Sequence, residues 1–314
     1  MTPARAVPRV VLVTGASSGI GLATVIAAGR AGEHVVLAAR DPGALRRAGD
    51  ECRAAGAASI RIIPTDVGND DEVRRCVEEA LEVTGSLDLV VNAAGVVSYG
   101  RTQDVPAEVF DGVLRTNLVG SVNVARHVVP ALRDQEHGTL VLVGSVVGHL
   151  GVPGMSPYVL SKWGVRALAR QLQLENRDRP GLHVVYVAPG GVDTPIYRLA
   201  GNYAGYVGRP PPPVMRSEKA AARILAAVDE SRKRVQVGLA NDPVRFGFSA
   251  MPALYDILVG PLFGAVAMDR SEPVAPGPGN VLRPTPESYG LRGGQGNPLA
   301  GILRNLRRHA GARR

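Results

Sequence analysis

The segment YVLSK at 158–162 sets a phenol and an ammonium four residues apart, and Ser145 lies thirteen residues before the phenol. On a helix, positions i and i+4 share one face, so Tyr158 and Lys162 would stand one above the other. A phenol with an ordinary pKa of roughly 10 donates a proton at neutral pH but is rarely available as a base. A nearby ammonium favours the phenolate, and proton transfer is most efficient as the pKa approaches the working pH. The choice of lysine is informative: of 36 basic side chains only Lys162, Lys219 and Lys233 are lysine. A compact ammonium fits beneath a ring and still donates to hydroxyl groups, whereas a guanidinium fork holds its charge elsewhere. Ser145, closing the apolar run LVLVGS, is suited to hold a substrate oxygen on which charge develops. Singly, a helical tyrosine packs and a serine after a strand turns the chain. The spacing of all three points to proton transfer.

A second cluster suits phosphate. Residues 14–21 read TGASSGIG between an apolar run and a helical stretch. Gly15, Gly19 and Gly21 permit positive φ, close approach of a pyrophosphate and tight helix–strand contact. The helix N-terminus behind Ser17, Ser18 and Ile20 adds N–H groups and the positive end of a dipole. A glycine turn also serves plain βα packing; the strand–turn–helix setting is what favours a dinucleotide. The next apolar run, VVLAAR, ends in Ala39-Arg40, where an acidic residue would bond the ribose hydroxyls of NAD. A guanidinium instead matches the 2′-phosphate of NADP, unless Arg40 pairs with Asp41 at the surface. Asp66-Val67 ends the third run, either beside an adenine amino group or as a helix cap with Asp70 and Asp71 near.

Positioning these residues requires a sheet with all its functional ends on one edge. Candidate strands fall at 9–14, 34–39, 60–64, 87–92, 138–145, 183–188 and 234–238, with helical stretches at 19–31, 42–55, 70–84, 105–134, 156–178 and 217–232. Continuous Val/Leu/Ile runs suit strands buried on both faces, and the alternation predicts βαβ units in a doubly wound parallel α/β sheet of about seven strands, the Rossmann fold. Ligands in such sheets bind beyond the carboxyl ends of the strands, where the glycine turn, Arg40, Asp66 and Ser145 all fall.

Composition narrows the classes. With 45% hydrophobic and 20% charged residues the chain is ordinary for a soluble globular protein. Its two cysteines, Cys52 and Cys76, lie in helical stretches with no CxxC or Cys/His cluster, which argues against a metal site or redox pair and for a reduced, cytoplasmic setting. No apolar segment resembling a secretory signal opens the sequence. The net charge of +8 invites a nucleic-acid reading, but six arginines (292, 304, 307, 308, 313, 314) stand after Gly290 with no acid among them. The body is nearly balanced and only 4% of residues are aromatic, so specific nucleic-acid binding is not expected.

After Gly238 the pattern changes. Residues 246–268 form a largely apolar run, but two prolines, three glycines and Asp256 interrupt it, a poor design for a membrane span. A lid over an apolar substrate, an oligomer contact or a peripheral membrane patch suits them better. Residues 273–301, rich in Gly, Pro and Asn, read as loop. We therefore read 1–238 as one catalytic dinucleotide-binding unit and 239–314 as an extension without a fold of its own, with the prolines at 210–213 in a loop.

Taken in order, TGASSGIG at 14–21, TDV at 65–67, NAAG at 92–95, Asn117 in RTNLVG, Ser145, YVLSK and PGGVDT at 189–194 resemble the classical short-chain dehydrogenase/reductase family. The likeness runs from about residue 8 to 238. It implies Tyr158 as catalytic acid/base, Lys162 as its activator and a ribose ligand, Ser145 as the group orienting the carbonyl or alcohol, and Asn117 as the fourth catalytic member. Asn92, Ala93 and Gly95 would support the sheet and the cofactor. Pro189, Gly190, Val192 and Thr194 would touch the nicotinamide carboxamide, and Asp66 and Val67 the adenine. The implied activity is reversible hydride transfer between NADP(H), with NAD(H) second, and a ketone or aldehyde, in a homodimer or homotetramer. A cofactor-binding scaffold or redox sensor without turnover is the rival class. The glycine turn carries Ser17 and Ser18 without a basic residue, which leaves Arg40 to meet the 2′-phosphate. The Gly/Pro/Val-rich stretches 146–156 and 195–215, with Tyr197, Tyr203 and Tyr206, suggest an apolar carbonyl substrate.

Overall fold

The computed structural model describes residues 7–230, 232–285 and 289–294. Seven elements pair into one parallel sheet: β1 (Val10–Thr14), β2 (His34–Ala39), β3 (Ser59–Pro64), β4 (Leu89–Asn92), β5 (Gly138–Val143), β6 (Leu182–Pro189) and β7 (Arg234–Val237). Their order across the sheet is β7-β6-β5-β4-β1-β2-β3. The order reverses between β1 and β4, and that switch point opens the crevice where α/β sheets bind ligands. The doubly wound Rossmann architecture is therefore the observed one.

Two apolar layers hold the helices to the sheet. Side chains alternate along each strand, so Val10 and Leu12 of β1 face one layer while Val11 and Val13 face the other. The first layer receives α3 (Asp70–Leu81), α5 (Gly120–Asp134) and α6 (Ser156–Glu175); the second receives α1 (Gly19–Arg30), α2 (Pro42–Ala55) and α7 (Ser217–Asp229). Each fully buried Val or Leu contributes about 1.5–3 kcal/mol relative to exposure, which explains the uninterrupted apolar runs. Local signals end the helices. Asp41 accepts from the N–H groups of Gly43 and Ala44 at the start of α2, and Gly56 closes it at φ +110°.

The helical stretch expected at 105–134 is interrupted. Ala107–Leu114 (α4) and α5 are joined by a π-helical turn, Arg115–Val119, centred on Asn117. Such turns occur where a side chain must be aimed out of helical phase.

Beyond β7 the chain forms a helical hairpin, α8 (Asn241–Ala250) and α9 (Pro252–Val266), then β8 (Met268–Pro273), antiparallel to Tyr206–Gly208. No described helix is long and apolar enough to cross a membrane. Arg209, itself buried, donates to the carbonyls of Ala265 and Val266 and so satisfies the C-terminal end of α9. After β8 the chain returns over the sheet edge. The N–H and carbonyl of Gly277 bond Asn202, Asn280 N–H donates to Leu199, and further on Gly290 accepts from the N–H of Gly19. The tail arginines from 304 onward lie outside the described residues.

Candidate active site

The glycine turn is a cradle that side chains cannot enter. A Cβ on Gly21 would stand 2.2 Å from the carbonyl oxygen of Gly15, and one on Gly15 (φ +68°) would stand 2.7 Å from the backbone nitrogen of Ala94. Helix α1 therefore lies against the strand ends, with Ser18 at its N-cap and the Ser18 hydroxyl making no capping bond. The groove above is lined by Gly15, Ser17, Ser18, Gly19, Ile20, Gly21, Arg40, Asp66, Val67, Ala93, Gly95 and Thr194. Backbone N–H groups at a helix start, with a cation at one end and a carboxylate at the other, fit the phosphates and adenosine of a dinucleotide.

Arg40 does not point freely into this groove. Its Nη2 donates to the carbonyl of Asn280 at 2.6 Å and its Nη1 to that of Val281 at 3.0 Å. Two of its five N–H donors are thus committed to the extension. Burial lowers its pKa and the neighbouring Asp66 carboxylate opposes that. Asp66 turns the chain by accepting from Gly68 N–H, while Asn69 caps α3, so capping is not the role of Asp66.

The second constellation meets the first at the crevice. Ser145 begins a short 3-10 turn after β5, Tyr158 and Lys162 rise from the first turns of α6, and all three line one cavity of about 520 Å3. The Ser145 side chain lies close enough to the Tyr158 hydroxyl to lower its pKa. The Lys162 ammonium lies 5.7 Å from the centre of the Tyr158 ring and donates to the carbonyl of Val143 at 2.9 Å. The Lys162 side chain is buried, with its nitrogen beside Gly95.

The electrostatics differ from the simple stacked-pair expectation. Burial pushes the Tyr158 hydroxyl up to about 12, against a lowering by the nearby Ser145 side chain. Burial also pulls Lys162 down to about 8. Desolvation is the first cause of both shifts, and it keeps the Tyr158 hydroxyl protonated at neutral pH.

Pro189, Gly190, Val192 and Thr194 line the cavity on the opposite side. Asn92 and Asn117 line neither space and lie beneath both. Asn92 joins Thr14 and Ser121, while Asn117 bonds both the N–H and the carbonyl of Val96 and donates to Ser161. Of the tyrosines expected near the substrate, only Tyr197 lines the cavity; Tyr203 packs with Val105 and Val109, and Tyr206 is exposed. The outer wall comes from the hairpin, through Val244, Met251, Leu254, Leu258, Leu262 and Phe263. A lid is one of the three readings that the apolar stretch 246–268 allows, but no motif names those positions. Among the described residues no cluster of His, Cys, Asp or Glu could hold a metal. Cys52 and Cys76 are buried free thiols, pushed up to about 12 and about 11 by burial.

Comparison with known proteins agrees with this geometry. The chain is 31% identical over 258 residues to the uncharacterized oxidoreductase YxnA of Bacillus subtilis, covering 80% of this chain and 71% of that one. It is 37% identical over 191 residues to versicolorin reductase of Emericella nidulans, covering 60% and 71% respectively. Among solved structures, a short chain dehydrogenase/reductase of Burkholderia phymatum in complex with NAD superposes with a TM-score of 0.68 at 26% identity, over 81% of this chain and 96% of that one. An alcohol dehydrogenase of the archaeon Thermococcus sibiricus, complexed with 5-hydroxy-NADP, superposes with a TM-score of 0.62 at 27% identity, over 73% and 95%. The family model for short chain dehydrogenase matches residues 9–202, which carry the cradle, Ser145, Tyr158 and Lys162. Sequence profile, fold and crevice thus converge, and this chain belongs to the short-chain dehydrogenase family of oxidoreductases.

Proposed function

We propose that the protein interconverts an apolar ketone or aldehyde and its alcohol by hydride transfer, with NADP(H) preferred over NAD(H). The observation that carries this reading is the meeting of two spaces. Ile20, Ala93, Gly95, Thr194 and Ile196 line both the dinucleotide groove and the apolar cavity, and Ser145, Tyr158 and Lys162 stand in the cavity wall. A bound nicotinamide would supply or accept the hydride; the rest falls to the protein.

In the reducing direction the Ser145 hydroxyl orients the carbonyl oxygen and Tyr158 gives it a proton. A phenol pushed up to about 12 is protonated at neutral pH, the form this step needs, and Lys162 beneath it offsets part of the weaker acidity. Lys162 supports the phenolate that remains, and would donate to the ribose hydroxyls of a bound dinucleotide. In the oxidising direction Tyr158 must act as base, so that rate should climb as pH rises. Asn117 holds the loop after β4 against α6 through Val96 and Ser161, which keeps Lys162 in register with the cradle. Arg40 supports the NADP(H) preference, because three of its N–H groups remain for a 2′-phosphate beside the two given to the extension.

Tyr158→Phe tests the reading. NADPH oxidation with a panel of apolar ketones should fall by about 10^3-fold or more, since the acid is lost. NADPH binding, followed by fluorescence, should persist. Turnover close to that of the unaltered protein would sink the assignment of Tyr158.

A further inference from the structure

The segment after β8 enters the dinucleotide groove with a polar group that no described residue satisfies. Asn280 and Pro284 line that groove together with Ala39, Arg40, Thr65, Asp66 and Val67, at its adenosine end. The side-chain oxygen of Asn280 is buried and has no hydrogen-bond partner among the described residues. A buried acceptor left unpaired is costly, and native proteins seldom leave one without a ligand to meet it.

Its placement is not accidental. Asn280 N–H donates to Leu199, and the carbonyls of Asn280 and Val281 accept from the two ends of the Arg40 guanidinium. Val281 is buried among Val96, Val105, Val109 and Val113. The backbone on either side of the unpaired amide is thus fixed by one cation and one apolar socket. The adenosine half of a dinucleotide offers donors that would complete the set: the adenine amino group and the ribose hydroxyls.

We propose that Asn280 is a dinucleotide-binding residue supplied by the extension, accepting a hydrogen bond from the adenosine moiety, and that Arg40 is the positioning residue that latches it over the groove. The proposal rests on the dinucleotide reading of that groove, and residue 280 lies well beyond the stretch matched by the family model. Arg40 then serves the cofactor even when no 2′-phosphate is present.

ADP-ribose separates these roles, because it carries the adenosine and pyrophosphate but neither the nicotinamide nor a 2′-phosphate. Titration calorimetry on the full chain should show its Kd raised about tenfold in Asn280→Ala and in Asn280→Leu, the latter keeping the bulk, as expected for one lost buried hydrogen bond. Arg40→Met should weaken ADP-ribose by a similar factor, which an arginine serving only a 2′-phosphate would not do. Affinity like that of the unaltered protein in both Asn280 variants overturns the proposal, and an unaffected Arg40→Met overturns the latch. If the unaltered protein itself fails to bind ADP-ribose, the dinucleotide reading falls and takes this inference with it.

Discussion

The dinucleotide groove and the apolar cavity touch along five residues, yet their walls obey different physics. In the groove the working surface is backbone: N–H groups at the start of α1, brought close because a Cβ on Gly21 would stand 2.2 Å from the Gly15 carbonyl oxygen. Its shape is set by short-range sterics and tolerates almost no substitution. In the cavity the working surface is side chain, and much of it comes from a hairpin outside the sheet. Helix α9 has no buried residue, although it is apolar nearly all round. One side of it lines the cavity through Leu254, Leu258 and Leu262, while Ile257 faces outward. Such a wall needs apolar area more than any particular side chain, so it can change for a different substrate while the groove stays as it is.

Several changes would break or sharpen that contrast. The largest effect is that of Tyr158→Phe, which removes chemistry and leaves both spaces intact. Next is Gly21→Ala. Its methyl group has no room against Gly15, and overpacking of this kind costs about 1–3 kcal/mol. Dinucleotide Kd should rise by roughly 30-fold, with a lower melting temperature and an unaltered preference among ketones at saturating cofactor. Leu258→Glu works on the other side: the KM for an apolar ketone should rise about tenfold as a carboxylate enters the wall, while calorimetry finds the dinucleotide Kd unmoved. A parallel loss of cofactor affinity would mean the two spaces are not separable.

The smallest effect concerns Lys162. Its folded pKa is depressed, to about 8 from 10.5, so its contribution to stability is complete above the unfolded value and is lost as pH falls through 8. At pH 7 the protein holds a charged group that burial disfavours. Lys162→Met removes that charge but strands the Val143 carbonyl. The cofactor-free variant should be more stable by about 2 kcal/mol at pH 7, the gain vanishing towards pH 10.5, by denaturant titration. A variant less stable at pH 7 would show that the bond to Val143 outweighs the buried charge.

Much of this design was legible residue by residue. The stretch 42–55 forms the helix Pro42–Ala55 because Asp41, Pro42 and Gly56 supply cap, first turn and stop within the segment itself. Tyr158 and Lys162 share a helix face by spacing alone. The stretch 105–134 was less transparent, because its π turn answers to the Asn117 bonds with Val96, twenty-one residues away. Tyr203 and Tyr206 read like pocket residues yet turn from the cavity, since Gly/Pro-rich segments carry no periodicity that says which side faces in.

What the amino-acid sequence determined by itself is the order of strands and helices, the cradle, and the presence of Ser145, Tyr158 and Lys162 at one sheet edge. These follow from steric and hydrogen-bonding preferences acting over a few residues. Only the tertiary structure decided what Arg40 holds, where the hairpin lies, and that burial pushes the Tyr158 hydroxyl up instead of down. Arg40 meets carbonyls 240 and 241 residues away, and desolvation depends on everything packed around a group, so neither leaves a mark in the local sequence.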